Sequence, residues 1–182
     1  MRRAPLGSLM VLGMLAAPGC LGRAVKETAG LALGAKGLYT VTQDSQPLTA
    51  YGTYEVGVFK DEFSAKTPPE LFSLLPGEIE KRVAQSRKIT GAGGAKAAVI
   101  RGEVVYYESG ALLGQAFGPM EEVVARVELV DKATGQVIAK AVCVGRSEAS
   151  TTAGVRTKAE GLAKGIADWI ESRYPKGERD EN

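Results

Sequence analysis

General acid–base catalysis without histidine needs two carboxyl groups converging in a cleft. The residues that could supply them here are Glu103, Glu108 and Asp131. None is well placed by its local sequence, because Glu103 and Glu108 fall on the surface of a predicted strand and Asp131 in a tight turn. Histidine is absent from the 182 residues, and only two cysteines, Cys20 and Cys143, carry thiols. A Ser-His-Asp or Cys-His nucleophile cannot be built, nor a His-based zinc or iron site, and two thiols are too few for a Cys-rich metal centre. The glycine-rich run Gly91-Ala92-Gly93-Gly94-Ala95-Lys96 invites a phosphate-loop reading. It lacks the Gly-x-x-x-x-Gly-Lys-Ser/Thr spacing and leads from a helix into a strand, where a phosphate loop does the reverse. A connector is expected there, and a non-enzymatic protein without cofactor or metal overall.

Charge restricts the partners. The formal net charge is +2, and Arg2 and Arg3 belong to an N-terminal targeting segment; setting them aside leaves 21 basic residues against 21 acidic. A near-neutral chain without a basic stripe has no electrostatic purchase on phosphate backbones, so no nucleic-acid partner is expected. Hydrophobic content of 45% and charged content of 24% suit one globular domain.

The thiol of Cys20 has a different chemistry available. Met1-Arg2-Arg3 is a short positive region, and the apolar stretch from Leu6 to Ala17 has the length of an export signal, well below the roughly 20 residues that span a bilayer. It ends in Leu15-Ala16-Ala17-Pro18-Gly19-Cys20, which resembles the lipobox of bacterial lipoproteins, where small residues precede a cysteine that is acylated and becomes the new N-terminus. Pro18 and Ala17 depart from the commonest form of that motif. The resemblance implies lipidation at Cys20, and Leu21 at the next position implies the periplasmic face of the outer membrane. The alternative is ordinary cleavage near Ala17 or Gly19, giving a soluble periplasmic protein with a free Cys20. Residues 1–19 are thus read as signal and 20–38 as a lipidated, glycine-rich tether, with a short surface helix around Val25 to Ala35 as the alternative. Residues 39–175 form a single domain, and 176–182 a charged, disordered tail.

Within the domain the strongest pattern is Glu121 to Arg146. Val123, Ala125, Val127 and Leu129 alternate with Arg126 and Glu128, and Val137, Ala139, Ala141 and Cys143 make a second apolar face, the period of two of half-buried strands. Asp131-Lys132-Ala133-Thr134-Gly135 supplies the turn, with Gly135 in a left-handed conformation. The hairpin register expected from it sets Leu129 opposite Val137, Val127 opposite Ala139, and Val123 opposite Cys143. Further strands are expected at Tyr39 to Thr42, Tyr54 to Phe59 and Ala97 to Glu108, the last with Ala98, Ile100, Val104 and Tyr106 on one face. Leu71, Leu75, Ile79 and Val83 mark a helix capped by Thr67 and kinked or broken at Pro76-Gly77. Val155, Ala159, Leu162, Ile166 and Ile170 mark another, ended by Pro175, with Trp169 and Tyr174 as rim packing. One apolar sheet face and two amphipathic helices imply an α+β two-layer sandwich: a mainly antiparallel sheet of four to five strands with both helices on one face.

Two surfaces attract attention as contact sites. The loop Ser109 to Met120 holds Leu112, Leu113 and Phe117 between glycines, where turn chemistry predicts polar residues. Either it folds over the core edge or it offers an apolar patch to a partner or to lipid. The uncovered sheet face mixes Arg126, Glu128, Lys140 and Arg146 with Val124, Val130, Val142 and Val144, apolar enough to suggest a homo-oligomer or an envelope protein partner.

The run from Ala98 to Tyr174, with its strand, glycine-rich loop, VELVDKATGQVIAKAVCVGRSE hairpin and closing helix, resembles an uncharacterised family of small proteobacterial lipoproteins defined only as a domain of unknown function. That family is similar in architecture to the amino-terminal domain of TolB and to the curli secretion lipoprotein CsgG. The lipobox, the missing catalytic machinery and the apolar loop point to an envelope assembly or export role. The resemblance to CsgG implies, as the alternative, a self-assembling secretion or pore component, against which no pair of alternating amphipathic segments of about ten residues is seen for a transmembrane hairpin. The family's loop arginine has no counterpart in Gly110-Ala111-Leu112-Leu113-Gly114, so its role is not inherited.

Overall fold

The computed structural model describes residues 35–43, 47–62, 66–108, 121–147 and 154–175. Cys20, the loop with Leu112, Leu113 and Phe117, and the expected tail lie outside the described residues. Five strands are present: β1 (Lys36–Gln43), β2 (Tyr51–Asp61), β3 (Lys96–Tyr107), β4 (Glu121–Asp131) and β5 (Val137–Ser147). They form one sheet in the order β1-β5-β4-β3-β2. The helices are α1 (Pro69–Gln85), the single turn α2 (Arg87–Thr90) and α3 (Val155–Glu171), with a 3-10 turn at Leu48–Ala50. All strand pairs are antiparallel except β2 with β3. A parallel pair requires a crossover, and α1 and α2 provide it. The architecture is the expected α+β sandwich, with α1 and α3 burying their stripes on one sheet face: Leu71, Leu75 and Ile79 on α1, and Ala159, Leu162, Ile166 and Ile170 on α3, are all fully buried.

The β4–β5 hairpin forms on the expected faces, with Val127 and Ala139 each 1% exposed. Its register differs from the expected one by two residues. Leu129 pairs with Ala139, Val127 with Ala141 and Ala125 with Cys143, while Val123 meets Gly145. The Asp131 amide donates to the Gln136 carbonyl at 2.9 Å, so the ladder extends to Asp131, and a bulge between Leu129 and Val130 takes up the remaining step. A shift of two returns every side chain to its own face, so alternation cannot detect it. The bulge also buries Val130, which is 6% exposed rather than open on the outer face. Gly135 has φ +71°, as its turn position requires.

Other local expectations are corrected by packing. A register shift between Val104 and Tyr106 in β3 reverses the last two residues of the strand, leaving Tyr106 47% exposed while Tyr107 packs toward the core. Helix α1 runs through Pro76 as one 17-residue helix, because Leu71 and Leu75 before the proline and Ile79 and Val83 after it all pack into the same core. Thr67 does not cap it; the hydroxyl donates to Asp61 Oδ1 at 3.0 Å, and Pro68 occupies the cap position. Trp169 and Tyr174 are core rather than rim, at 0% and 6% exposure.

The two layers meet most closely along a seam of glycines. A Cβ added to Gly145 on β5 would lie 2.4 Å from the Leu162 amide nitrogen, and one on Gly37 of β1 would lie 2.2 Å from that of Gly165. From the helix side, a Cβ at Gly161 would meet the Lys36 carbonyl oxygen at 2.8 Å, and one at Gly165 the Leu38 carbonyl oxygen at 2.6 Å. Helix α3 therefore lies backbone to backbone on β1 and β5. Lys36 to Leu38, expected to belong to the tether, are strand for this reason.

Candidate interaction surfaces

The residues singled out for chemistry are not brought together. Along β3, Ala98 pairs with Asp131 and Glu103 with Arg126. At roughly 3.3 Å per residue, Asp131 and Glu103 are separated by about 16 Å along the sheet and Glu108 lies beyond the other end. Cys143 is fully buried, and burial pushes its thiol up, the reverse of an activated nucleophile. Among the described residues no cluster of three Asp, Glu or Cys side chains is arranged to hold a metal ion.

Asp131 has a structural task. Its Oδ1 accepts the amides of Ala133 at 3.0 Å and Thr134 at 2.9 Å, and its Oδ2 accepts the Tyr51 hydroxyl at 2.8 Å with Lys96 Nζ at 3.7 Å. The Tyr51 hydrogen bond and those of the turn amides hold the carboxyl down at about 2, below its ordinary 3.8, while burial and then Asp131 push the Tyr51 phenol up to about 12. A second phenol chain closes the far end of α3 onto the same strand: Tyr174 donates to the Tyr51 carbonyl at 2.6 Å and receives Tyr54 at 2.7 Å. Because the folded state favours ionised Asp131, its stabilising contribution is fully present above about pH 4 and is lost as pH falls through about 2. Asp131→Asn should therefore flatten the acid limb of the urea-unfolding stability profile between about pH 4 and about pH 2. Identical limbs in the two proteins would contradict this role.

The sheet face opposite the helices is uncovered. Arg101 makes a two-nitrogen contact with Glu128 Oε2 at 2.8 and 3.1 Å, and Lys140 meets Oε1 of the same carboxylate at 2.6 Å. Lys140 first and then Arg101 hold Glu128 below its ordinary value. Arg126 pairs with Glu62 and Arg146 with Glu122, at 2.8 and 2.9 Å. Such exposed pairs each contribute about 0–1 kcal/mol, but they neutralise the face. Between them lie half-buried Val124, Val142 and Val144 and exposed Val58 and Tyr106. A concavity of about 470 Å³ opens here, lined by Thr42, Val58, Lys60, Arg101, Glu103, Arg126, Glu128 and Lys140 among others. On the helical side a wider cleft of about 1010 Å³ between α1, α2 and α3 mixes Arg82, Arg87, Lys88 and Lys164 with Asp168 and Glu171.

Helix α3 also holds the base of the 109–120 loop. Lys158, 2% exposed, donates to the Glu108 carbonyl at 2.6 Å and to the Tyr107 hydroxyl at 3.2 Å, with its ammonium 4.3 Å from the Tyr107 ring centre. The Glu108 amide donates to the Glu122 carbonyl at 2.9 Å, closing the two ends of the loop. A cation over a ring is worth most when water is excluded. In the sequence Lys158 stands three residues after Val155 and four before Leu162, at the border of the apolar stripe, but a charge there gives no sign of the partner it meets.

The chain matches no protein-family model and no curated protein. Solved structures do share its fold. The dodecamer of a PelC point variant from Paraburkholderia phytofirmans superposes with TM-score 0.51 at 16% identity, covering 77% of this chain and 100% of that one. The PelC dodecamer of the same organism in a second crystal form gives TM-score 0.52 at 13% identity, covering 78% and 99%. A candidate lipoprotein of Caulobacter crescentus CB15 overlays more loosely, with TM-score 0.37 at 15% identity over 69% of this chain and 91% of that one.

Proposed function

We propose that this chain is a lipoprotein anchored through Cys20 on the periplasmic face of the outer membrane, where it acts as a non-enzymatic, self-associating assembly module of the cell envelope. The observation that carries this reading is the sheet side that the helical layer leaves open: a neutralised, partly apolar face with an exposed strand at its edge. A face of that kind is an interface in search of a partner. The two PelC structures support the reading in that a chain of this fold assembles as a dodecamer. The lipobox-like residues before Cys20 support the anchor. Leu112, Leu113 and Phe117 are assigned to contact with a further envelope protein or with lipid. Resemblance to TolB and CsgG belongs to the same proposal.

Two measurements test it. Mass spectrometry of the N-terminal peptide from the membrane fraction is expected to show an acylated Cys20; an unmodified mature N-terminus would remove the anchor. Native mass measurement of the detergent-extracted protein is expected to give a multiple of the chain mass. A monomer across the accessible concentrations would end the self-association reading.

A further inference from the structure

We infer that β1 is the strand through which the protein self-associates: two copies pair their β1 strands antiparallel about a two-fold axis at Thr40, joining two five-stranded sheets into one continuous sheet. This rests on the self-association proposed above and names the surface that performs it.

Strand β1 stands at one end of the sheet order, paired only with β5 among the described strands. Its last six residues, Leu38 to Gln43, are all exposed. They include Leu38 at 45%, Tyr39 at 37% and Val41 at 36%, three of the five large hydrophobic residues that the described structure leaves open. No charge and no proline occurs after Lys36 up to Gln43, and the strand's one irregularity lies at its very end, between Val41 and Gln43. Natural edge strands are guarded by charges, prolines, bulges or covering elements because an unguarded row of backbone donors and acceptors templates another strand. The opposite edge of this sheet is guarded in that way: β2 carries Glu55, Lys60 and Asp61 and loses regular register between Val56 and Phe59. A bare edge kept beside a protected one points to a strand partner at β1 alone.

The sequence of β1 is complementary to itself. With Thr40 opposite Thr40 of the second copy, Tyr39 meets Val41 on the helix side of the sheet, and Leu38 on the outer side reaches Thr42, which lies within the irregularity between Val41 and Gln43. Aromatic against β-branched, and threonine against threonine, are favourable cross-strand pairs, and no like charges are brought together within the segment. The chain leaves room for the geometry as well. The two β1 strands begin at opposite ends of the pair, about 26 Å apart at roughly 3.3 Å per residue. Sixteen residues of chain, the number from Cys20 to Lys36, have a contour length of about 50 Å, longer than that separation.

The test uses the full-length lipoprotein in detergent, with native mass followed against concentration. Val41→Lys and Thr40→Lys place a charge on the exposed edge, and each is expected to raise the concentration for half-association at least about tenfold, some 1.4 kcal/mol, while leaving the thermal unfolding of the dissociated protein in place. Thr40→Cys is expected to give a covalent dimer on mild oxidation, identified as two copies of the β1 peptide joined by a disulfide at the substituted position, since directly opposed Cβ atoms lie within about 5.5 Å. Val58→Cys on the bulged β2 edge is expected to give none. Wild-type oligomers unaffected by both lysine variants would overturn β1 as the contact while leaving self-association standing. A monomeric wild type would overturn both. Dissociation by lysine without any Thr40→Cys crosslink would overturn the two-fold pairing, and the crosslink decides the matter even where a lysine variant fails to fold.

Discussion

Gly145→Val is expected to abolish the native fold or to lower its stability by about 3 kcal/mol or more, the upper range for overpacking a core. The Gly145 Cβ position lies 2.4 Å from the Leu162 nitrogen, 2.5 Å from the Lys158 carbonyl oxygen and 2.9 Å from the Leu162 Cα. These are helix backbone atoms, so no side chain can rotate away; α3 would have to rise off β5 along its length. That movement would expose Leu162 and Ile166, both fully buried. Gly135→Val provides the contrast. Its Cβ would meet nothing within 4 Å, and only the left-handed φ of +71° opposes it, for roughly 1–2 kcal/mol. Urea denaturation of the two variants separates steric collision from backbone strain, and a Gly145 variant no less stable than the Gly135 one would refute the seam. Gly161 and Gly165 fit the same account: each costs a helix interior about 1 kcal/mol relative to alanine, and each lies where a methyl group would enter the β1 backbone.

Trp169 yields the second large effect, in two parts. It is the largest fully buried side chain, so Trp169→Ala should cost about 3–5 kcal/mol through lost burial and the cavity left behind. Against a typical total of about 5–15 kcal/mol, that leaves a marginal protein. Its indole Nε1 is buried with no hydrogen-bond partner in the described structure, and an unsatisfied buried donor carries a penalty of about 1–3 kcal/mol. Trp169→Phe removes that donor and keeps most of the apolar volume. It should therefore cost far less than the alanine variant, with a difference of at least about 2 kcal/mol in thermal or urea unfolding. Equal losses would mean that the indole nitrogen is satisfied in solution and that the whole bicyclic shape is needed.

Much of this architecture can be read from particular residues before any coordinates. The alternation at Val123, Ala125, Val127 and Leu129 assigns those side chains to the core, and the four-residue spacing of Leu71, Leu75, Ile79 and Val83 marks the α1 stripe. Asp131 and Gly135 mark a turn whose Asp does cap its own loop. Of the three carboxylates considered for acid–base chemistry, Glu103 and Glu108 were legible as apart from their spacing along one strand, whereas the distance of Asp131 from them follows only from the β3–β4 register. The contact surfaces were legible only in part. The open sheet face follows from counting one helical layer, but the bare β1 edge was hidden, since Lys36-Gly37-Leu38 has the composition of a linker.

What the sequence determines by itself are periodicities: which residues face inward, where the chain turns, and the consequent α+β sandwich with helices on one side. Tertiary structure decides the quantities to which a period of two or 3.6 is blind. The hairpin register moved by two residues because that shift preserves every face. Tyr106 and Tyr107 exchanged places because a bulge needs a neighbouring strand to form against. Pro76 stayed within a helix because packing on both sides outweighed one missing hydrogen bond. Strand β1 pairs with β5 at the end of the sheet, and Gly37, Gly145, Gly161 and Gly165, spread over most of the domain, come to lie where helix α3 approaches these two strands at backbone distance. Such a contact depends on pairs of residues far apart along the chain, and local pattern carries no information about it.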